Sequence, residues 1–183
     1  MPLEDIARIA HLEVRRLPDD VEPGLEAHAS FDPPGTFSNA THGAVVEIDP
    51  ETGKVTIERY VVVEDCGVMI NPAVVEGQVR GGVAQGIAAA LYEELRFGED
   101  GQPQSTNLMD YLVPTALEIP RIEIDHLETP SEFSETGAKG MGEGGTMGAP
   151  ACIATAVSDA LAHLGAEVDH IPITPDLLHE ALS

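Results

Sequence analysis

A glycine-rich segment that continues directly into a helix-like segment constrains this chain more than any other feature. Its six glycines surround the single acid Glu143 and stand at positions 137, 140, 142, 144, 145 and 148. From Pro150 onward, apolar residues follow helical spacing, and Gly165 indicates a helix end. The sequence therefore predicts a helix whose first turn contains Pro150. Because ordering glycines costs chain entropy, such a run is expected where the backbone approaches another group closely.

Three interpretations of this segment differ in the chemistry that they imply. The first is a flexible glycine-rich linker, which the adjoining amphipathic helix disfavours. The second is a dinucleotide loop, since residues 140–145 match G-x-G-x-x-G, but that motif needs a strand directly before it and residues 129–137 indicate a loop. The third is a carboxylate, Glu143, among backbone amides beside a helix N-terminus, where an anionic ligand is favoured.

A second glycine-bearing helix is predicted after the segment D-C-G-V-M-I-N-P at residues 65–72. It extends from about residue 72 to Leu95 and contains glycines at 77, 81, 82 and 86. Each glycine lowers the helix propensity by nearly 1 kcal/mol, roughly, relative to alanine. Close packing or a nearby cofactor must offset this cost. We favour close helix packing for Gly82 and Gly86.

These two segments together resemble the molybdenum hydroxylases. The family is that of xanthine dehydrogenase and aldehyde oxidase, in particular large subunits of the aerobic carbon monoxide dehydrogenase type. The resemblance rests on D-C-G-x-x-I-N-P followed by G-Q-x-x-G-G-x-x-Q-G, and on G-A-K-G-M-G-E-G-G at residues 137–145. A D-P-E-T-G turn at 49–53 and D-Y-x-x-P at 110–114 agree with it. It extends from about residue 12 to the end and corresponds to the C-terminal part of a large subunit.

The resemblance implies a role for particular residues. Glu143 would be the active-site base, and Gln78, next to Gly77, would present its amide to the pterin of the cofactor. Gln85, two helical turns further on the same face, is a weaker candidate. The backbone of Gly137, Ala138, Lys139, Gly140, Met141 and Gly142 would hold the phosphate and pterin edge through N–H donors. The implied cofactor is molybdopterin with molybdenum, in the cytosine dinucleotide form, and none of these residues is expected to ligate the metal directly.

The implied activity is hydroxylation of a small-molecule substrate with water as the oxygen source. Reducing equivalents would pass to iron–sulfur and flavin subunits, and activity would require the remaining part of the molybdopterin-binding subunit. Two alternatives stay open. One is a non-catalytic assembly or structural fragment of such a subunit, and the other, more distant, is a nicotinamide-binding enzyme.

The order of strands and helices predicts an α+β fold with mixed or antiparallel strands and the two glycine-flanked helices. A hairpin is expected from 43–49 and 54–64, and a second one from 93–97 and 104–107. Further strands are expected at 119–127 and 166–173. Short helices are expected at 3–13, with Ile6, Ile9 and Ala10 inward, and after a cap at Thr174. We interpret residues 1–183 as part of one domain, with a subdivision near 129–137 as the other option.

The charge of the chain excludes one class of partner. Asp and Glu total 32 against 9 Lys and Arg, which gives a formal net charge of −23. So acidic a surface repels nucleic acid, and its simplest explanation is a halophilic protein whose self-repulsion is screened by concentrated salt. An acidic face for a basic partner is the alternative. No apolar run reaches the length of a membrane span, and the first twenty residues are too charged for a secretory signal. A cytoplasmic location is therefore expected.

Overall fold

The computed structural model describes residues 1–182, which fall into two compact units that divide between Pro33 and Pro34. The first unit contains helix α1, Leu3–His11, followed by a short 3-10 turn, Val14–Arg16. Ala10 is buried, as predicted, whereas Ile6 is exposed, so the expected inward face of this helix is only partly correct. All predicted site residues belong to the second unit.

A long hairpin opens the second unit and confirms the first predicted one. Strand β1 is Asn39–Asp49 and strand β2 is Lys54–Asp65, paired antiparallel. The turn is fixed by the carboxylate of Asp49, which accepts hydrogen bonds from the amide of Glu51 at 2.9 Å and the hydroxyl of Thr52 at 2.8 Å. Gly53 follows with a φ of 65°, which favours glycine.

A third strand completes a mixed sheet. Strand β3, Ile122–Leu127, pairs parallel with β2, and the order of the strands is β1-β2-β3. Alternate residues of β2 face inward before and after a register shift at Glu58, and Tyr60 and Val62 are fully buried. The α+β fold with mixed strands is thus as the sequence predicts.

Two helices cover this sheet, and both differ from their predicted limits. Helix α2 is Pro72–Leu91, begins at a cap where the side chain of Asn71 accepts from the amide of Val74, and ends four residues early. Helix α3 is Gly144–Leu161 and begins six residues before Pro150, which therefore lies in its second turn. The glycines at 144, 145 and 148 are thus part of the helix rather than of the loop before it. A proline inside a helix costs about 3 kcal/mol, and packing of α3 on α2 offsets that cost.

The contact between α2 and α3 is a backbone-to-backbone crossing. A Cβ atom placed on Gly82 would lie 2.8 Å from the amide nitrogen of Thr146, and one on Gly145 would overlap the backbone of Val79. One turn further, a Cβ on Gly86 would lie 2.5 Å from that of Ala149. The prediction that Gly82 and Gly86 serve close helix packing is therefore confirmed. The fully buried core beneath this crossing contains Val79, Val83, Ile87, Ile153 and Val157.

The two glycines in the middle of α2 allow a matched test. Gly82→Ala is expected to lower the free energy of unfolding by about 1–3 kcal/mol, because the added methyl group overpacks the crossing. Gly81→Ala, one residue earlier, meets no atom within 4 Å and is expected to raise it by up to about 1 kcal/mol through helix propensity. Urea denaturation of both variants measures the difference, and equal effects would contradict the close crossing.

Two other predictions were wrong. The second hairpin is reduced to an isolated bridge between Phe97 and Pro103, and residues 166–173 form no strand. The latter segment packs against α2 instead: the amide of Ile173 donates to the carbonyl of Ala90 at 2.7 Å. The predicted cap is confirmed, since the hydroxyl of Thr174 accepts from the amide of Leu177 at the start of helix α4, Pro175–Ala181. None of the helices in residues 1–182 is long and apolar enough to cross a membrane.

The net charge of −23 leads to a prediction about salt. Unfolding midpoints are expected to rise as potassium chloride increases from dilute to molar concentration, because the screening length falls to about 3 Å at 1 M. Thermal unfolding followed by circular dichroism measures the midpoint. A midpoint that does not respond to salt would contradict the halophilic interpretation.

Candidate active site

Glu143 and Gln78, the two side chains predicted to act in chemistry and cofactor binding, meet where α3 begins. Glu143 occupies the residue before the first helical position of α3, and its side chain is exposed. The side-chain amide of Gln78, from the second turn of α2, donates to the carbonyl of Gly142 at 3.1 Å. The crossing of α2 and α3 therefore brings together two residues that are 65 positions apart in the chain.

Two small cavities are lined in part by Glu143. The first, which we call the Gln78 cavity, has a volume of about 240 Å³ and is lined by Gln78, Gly81, Gly82, Gln85, Gly142, Glu143 and Thr146. The second, the Ser38 cavity, has a volume of about 290 Å³ and is lined by residues 36–38, residues 140–144 and Met147. Glu143 is thus accessible to a ligand in either cavity.

Gln85 lies on the same face as Gln78, as predicted, but its amide oxygen is already engaged. It accepts a hydrogen bond of 3.3 Å from the hydroxyl of Thr146, which also bonds to the carbonyl of Gly82 at 3.2 Å. Gly77 is exposed, and a Cβ atom there would meet nothing within 4 Å. The predicted contact of Gly77 with a cofactor stays a prediction.

The backbone amides of residues 137–140 donate within the chain. Gly137 donates to the carbonyl of Ser134 at 3.0 Å, and Lys139 to that of Cys66 at 2.7 Å. Ala138 and Gly140 donate to threonine hydroxyls, those of Thr136 and Thr36 respectively. These four amides therefore hold the loop in place through acceptors within the chain.

The backbone amides of the next three residues, 141–143, are not used in this way. Among residues 1–182, no acceptor is found for the amides of Met141, Gly142 and Glu143. They lie immediately before α3, where the helix dipole places a partial positive charge. Amides of this kind at a helix N-terminus bind phosphate and other anions. An anionic ligand is therefore favoured at this point even though the chain as a whole is strongly acidic.

A buried ion pair anchors the loop behind these amides. Asp65, at the end of β2, accepts hydrogen bonds from the amides of Gly67 at 2.9 Å and Thr129 at 3.1 Å, and from the ammonium group of Lys139 at 3.1 Å. Burial alone would raise the pKa of Asp65, but the hydrogen bonds from Thr129, Gly67 and Lys139 outweigh it and hold that pKa well below its usual range. The side chain of Lys139 therefore stabilises the loop and lines neither cavity.

Sequence reasoning missed some residues of this region. The segment 36–38 runs alongside the loop: the amide of Ser38 donates to the carbonyl of Gly140, and the hydroxyl of Thr36 accepts from the amide of the same residue. No local motif marks that segment. Asp65 could have been found, because it stands within the D-C-G motif at the end of a predicted strand.

Other cavities lie away from these residues. The largest one described here, of about 480 Å³, lies beside β1 and α3, is lined mostly by small side chains, and contains none of the predicted site residues. Among residues 1–182, no group of three or more His, Cys, Asp or Glu side chains is arranged to hold a metal ion.

Comparison with known proteins identifies the class to which this fold and site belong. The family model of the molybdopterin cofactor-binding domain matches residues 1–120, which include Gln78. The chain belongs to this molybdopterin cofactor-binding family. The match confirms the resemblance to molybdopterin-binding large subunits.

Particular relatives extend the similarity over nearly the whole chain. The nicotine 6-hydroxylase large subunit of Paenarthrobacter nicotinovorans is 44% identical over 175 residues, which cover 95% of this chain and 21% of that protein. The carbon monoxide dehydrogenase large chain of Afipia carboxidovorans is 40% identical over 160 residues, 87% of this chain and 20% of that one. The crystal structure of quinoline 2-oxidoreductase from Pseudomonas putida 86 superposes with a TM-score of 0.87 at 44% identity, covering 100% of this chain and 23% of that one. The chain thus spans about a fifth of the length of the curated relatives it matches.

Proposed function

We propose that this chain forms one wall of the active site of a molybdenum hydroxylase, which it supplies with a catalytic base and part of the molybdopterin site. The observation that carries the proposal is the meeting of Glu143 and Gln78 beside three amides without acceptors, in a chain of the molybdopterin cofactor-binding family. An oxidoreductase activity is supported by relatives that are named as hydroxylases and dehydrogenases.

The residues around the Gln78 cavity fit a planar, phosphate-bearing cofactor. Cβ atoms at Gly77, Gly81 and Gly142 would meet nothing within 4 Å, so the backbone there is open to close approach by a flat ring. The amide donors of Met141–Glu143 suit the oxygens of a phosphate. Because residues 137–140 use their own amides internally, we assign phosphate binding to these three amides. Residues 137–140, Lys139 included, hold the loop that presents them.

Each site residue then has a distinct task. When bound, the molybdenum cofactor activates a water-derived oxygen and accepts electrons from the substrate. Glu143 takes a proton in that step, which an exposed carboxylate bordering two cavities can reach in either of them. Gln78 fixes the carbonyl of Gly142 and so orients the peptide that leads into Glu143.

The proposal also includes partners and a location. The remaining part of the large subunit would supply the other walls, and iron–sulfur and flavin subunits would receive the electrons in the cytoplasm. One relative is named as a subunit of a dehydrogenase complex, which supports a multi-subunit assembly. The cofactor form that we propose is the cytosine dinucleotide, the substrate is a small molecule, and residues 1–183 are the C-terminal part of the binding domain.

Metal and pterin analysis tests the proposal. The 183-residue chain alone is expected to bind no molybdenum cofactor tightly, because it provides only one wall. Coexpression with the remaining part of the large subunit is expected to give a complex with stoichiometric molybdenum and pterin. Gln78→Ala is expected to lower cofactor content in that complex, whereas Gln102→Ala, an exposed control, is expected to leave it unchanged.

Two outcomes contradict parts of this proposal. Stoichiometric molybdenum in the isolated chain would show that the other walls are not needed. A correctly assembled complex without molybdenum or pterin would instead favour the non-catalytic structural fragment.

A further inference from the structure

A row of polar side chains with buried, unpaired atoms lies on the inward face of the sheet, and the proposed mechanism does not use it. Among residues 1–182, five buried side-chain nitrogen or oxygen atoms lack a hydrogen-bond partner, and they belong to only three residues: His42, Glu64 and His126. All three face inward from the sheet. Buried polar atoms are nearly always paired in native proteins, so a cluster of unpaired ones requires an explanation.

Glu64 is the centre of this row. It lies on the inward face of β2, beyond Tyr60 and Val62, and its side chain is 0% exposed. In the sheet register it stands opposite Ala40 of β1 and His126 of β3. His42 is two residues from Ala40 on β1 and therefore projects from the same face. The carboxyl group thus has one imidazole on each neighbouring strand.

The same carboxyl group touches the helix that carries the catalytic candidate. A Cβ atom on Gly144, the first residue of α3, would lie 2.7 Å from Oε1 of Glu64, so a side chain there would have to displace the carboxyl group. Glu143 directly precedes Gly144 and is exposed, whereas Glu64 is buried beneath it. One exposed and one buried carboxyl group, those of Glu143 and Glu64, therefore both lie at the N-terminus of α3.

The surroundings of Glu64 disfavour its charged form. Burial raises the pKa of its carboxyl group, and the neighbouring Asp65 adds to the rise. The hydroxyl of Ser38 faces it and opposes the rise, without the geometry of a hydrogen bond. Burial also lowers the pKa of His42 despite the opposing backbone of Gly144, so His42 provides no positive charge at neutral pH. Lys139 is paired with Asp65, and among residues 1–182 neither oxygen of Glu64 has a hydrogen-bond partner.

We propose that Glu64 is held as an uncharged carboxylic acid beneath the first residue of α3, and that it is a positioning residue for Glu143. Both oxygens of Glu64 lack a partner, and a carboxyl group without a partner costs far less free energy to bury when it is uncharged. The uncharged acid also leaves the partial positive charge of the α3 N-terminus to Glu143 and to an anionic ligand. The role toward Glu143 rests on the proposed function, whereas the protonation state of Glu64 does not.

Infrared spectroscopy of the 183-residue chain tests the protonation state without any cofactor. At neutral pH we expect the carbonyl stretch of a protonated carboxylic acid, lost in Glu64→Gln and retained in Glu58→Gln, an exposed glutamate on the same strand. Absence of that band from the wild-type chain overturns the proposal.

The pH dependence of unfolding provides an independent measurement. Because the folded chain keeps a proton that an unfolded glutamate releases above about pH 4.3, wild-type stability is expected to fall as pH rises beyond that value. The unfolding constant of the wild type relative to Glu64→Gln is expected to grow by up to about tenfold per pH unit. A ratio that stays constant or shrinks over the first pH unit above that value would show that Glu64 ionises in the folded chain as readily as in the unfolded chain, and would overturn the proposal.

Cofactor content of the assembled complex tests the positioning role. Glu64→Ala is expected to lower molybdenum and pterin content, and Glu64→Gln, which keeps the size of the uncharged acid, is expected to restore content well above that of alanine. If alanine and glutamine bind cofactor equally, Glu64 does not position this region. If the wild-type complex itself contains no cofactor, the proposed function fails, while the infrared and unfolding results still decide the state of Glu64.

Discussion

Replacing Glu143 by glutamine is expected to lower the turnover of the assembled complex by about 10²- to 10⁴-fold, the usual contribution of a positioned general base. Glutamine keeps the length of the side chain and its hydrogen-bonding reach but cannot accept a proton. The amides of Met141–Glu143 and the bond from Gln78 to Gly142 involve only the backbone of this segment, so cofactor content is expected to stay near the wild-type level. Turnover per bound molybdenum is the quantity to measure.

Glu135→Gln provides a control for this substitution, because Glu135 is exposed, lies two residues before the glycine-rich segment and lines neither cavity. It is expected to retain turnover and cofactor. The catalytic role is refuted if Glu143→Gln loses cofactor while its remaining loaded fraction turns over normally. Glu143 would then be a structural residue of the loop.

Replacing Asp65 by asparagine is expected to cost about 3–5 kcal/mol in the free energy of unfolding, the usual cost of removing one partner of a buried ion pair. Asparagine can still accept from the amides of Gly67 and Thr129, but the ammonium group of Lys139 is left buried without its counter-charge. Asp159→Asn, an exposed aspartate on α3, is expected to change stability by no more than about 0.5 kcal/mol. Urea denaturation at neutral pH compares the two.

The same aspartate predicts how the chain responds to acid. Its pKa is lowered in the folded state, so the stability that it contributes is complete above the pKa of an unfolded aspartate, about 3.9. That stability is lost as the pH falls below this value. Asp65→Asn is expected to lack this part of the acid transition, and an unchanged acid transition in the variant would show that Asp65 is not the group responsible.

The sequence predicts the parts of this fold that depend on local pattern. The alternation in residues 54–64 places β2, and Thr174 with the proline after it places α4. The limits of α3 could not be predicted in the same way. Pro150 is a helix breaker by local rules, yet the close contact of Gly145 with Val79 stabilises helical backbone six residues before it. That contact joins residues 66 positions apart, and local propensity carries no information about it.

The candidate site likewise has some features that the sequence predicts and others that depend on tertiary packing. Its members Glu143 and Gln78 were found from motifs, and their proximity then follows from the crossing of two helices. The motif does not predict which backbone amides are available to a ligand. Their availability depends on acceptors such as Thr36 and Cys66, which approach the loop from other parts of the chain. The position of Glu64 could have been inferred from the alternation of β2, which continues from Tyr60 and Val62. Its contact with Gly144 depends on the tertiary packing of α3 on the sheet.

The crossing at Gly82 and Gly145 also determines where this wall can be redesigned. Two backbones in direct contact leave no side chain to exchange, so the distance between the helices that carry Gln78 and Glu143 cannot be adjusted by small graded substitutions. Any larger residue there separates the helices and moves both functional groups at once. The segment Thr36–Ser38 borders the same Glu143 through side chains that can be varied individually. Directed evolution of this wall toward new ligands is therefore better aimed at positions 36–38 than at the helix pair.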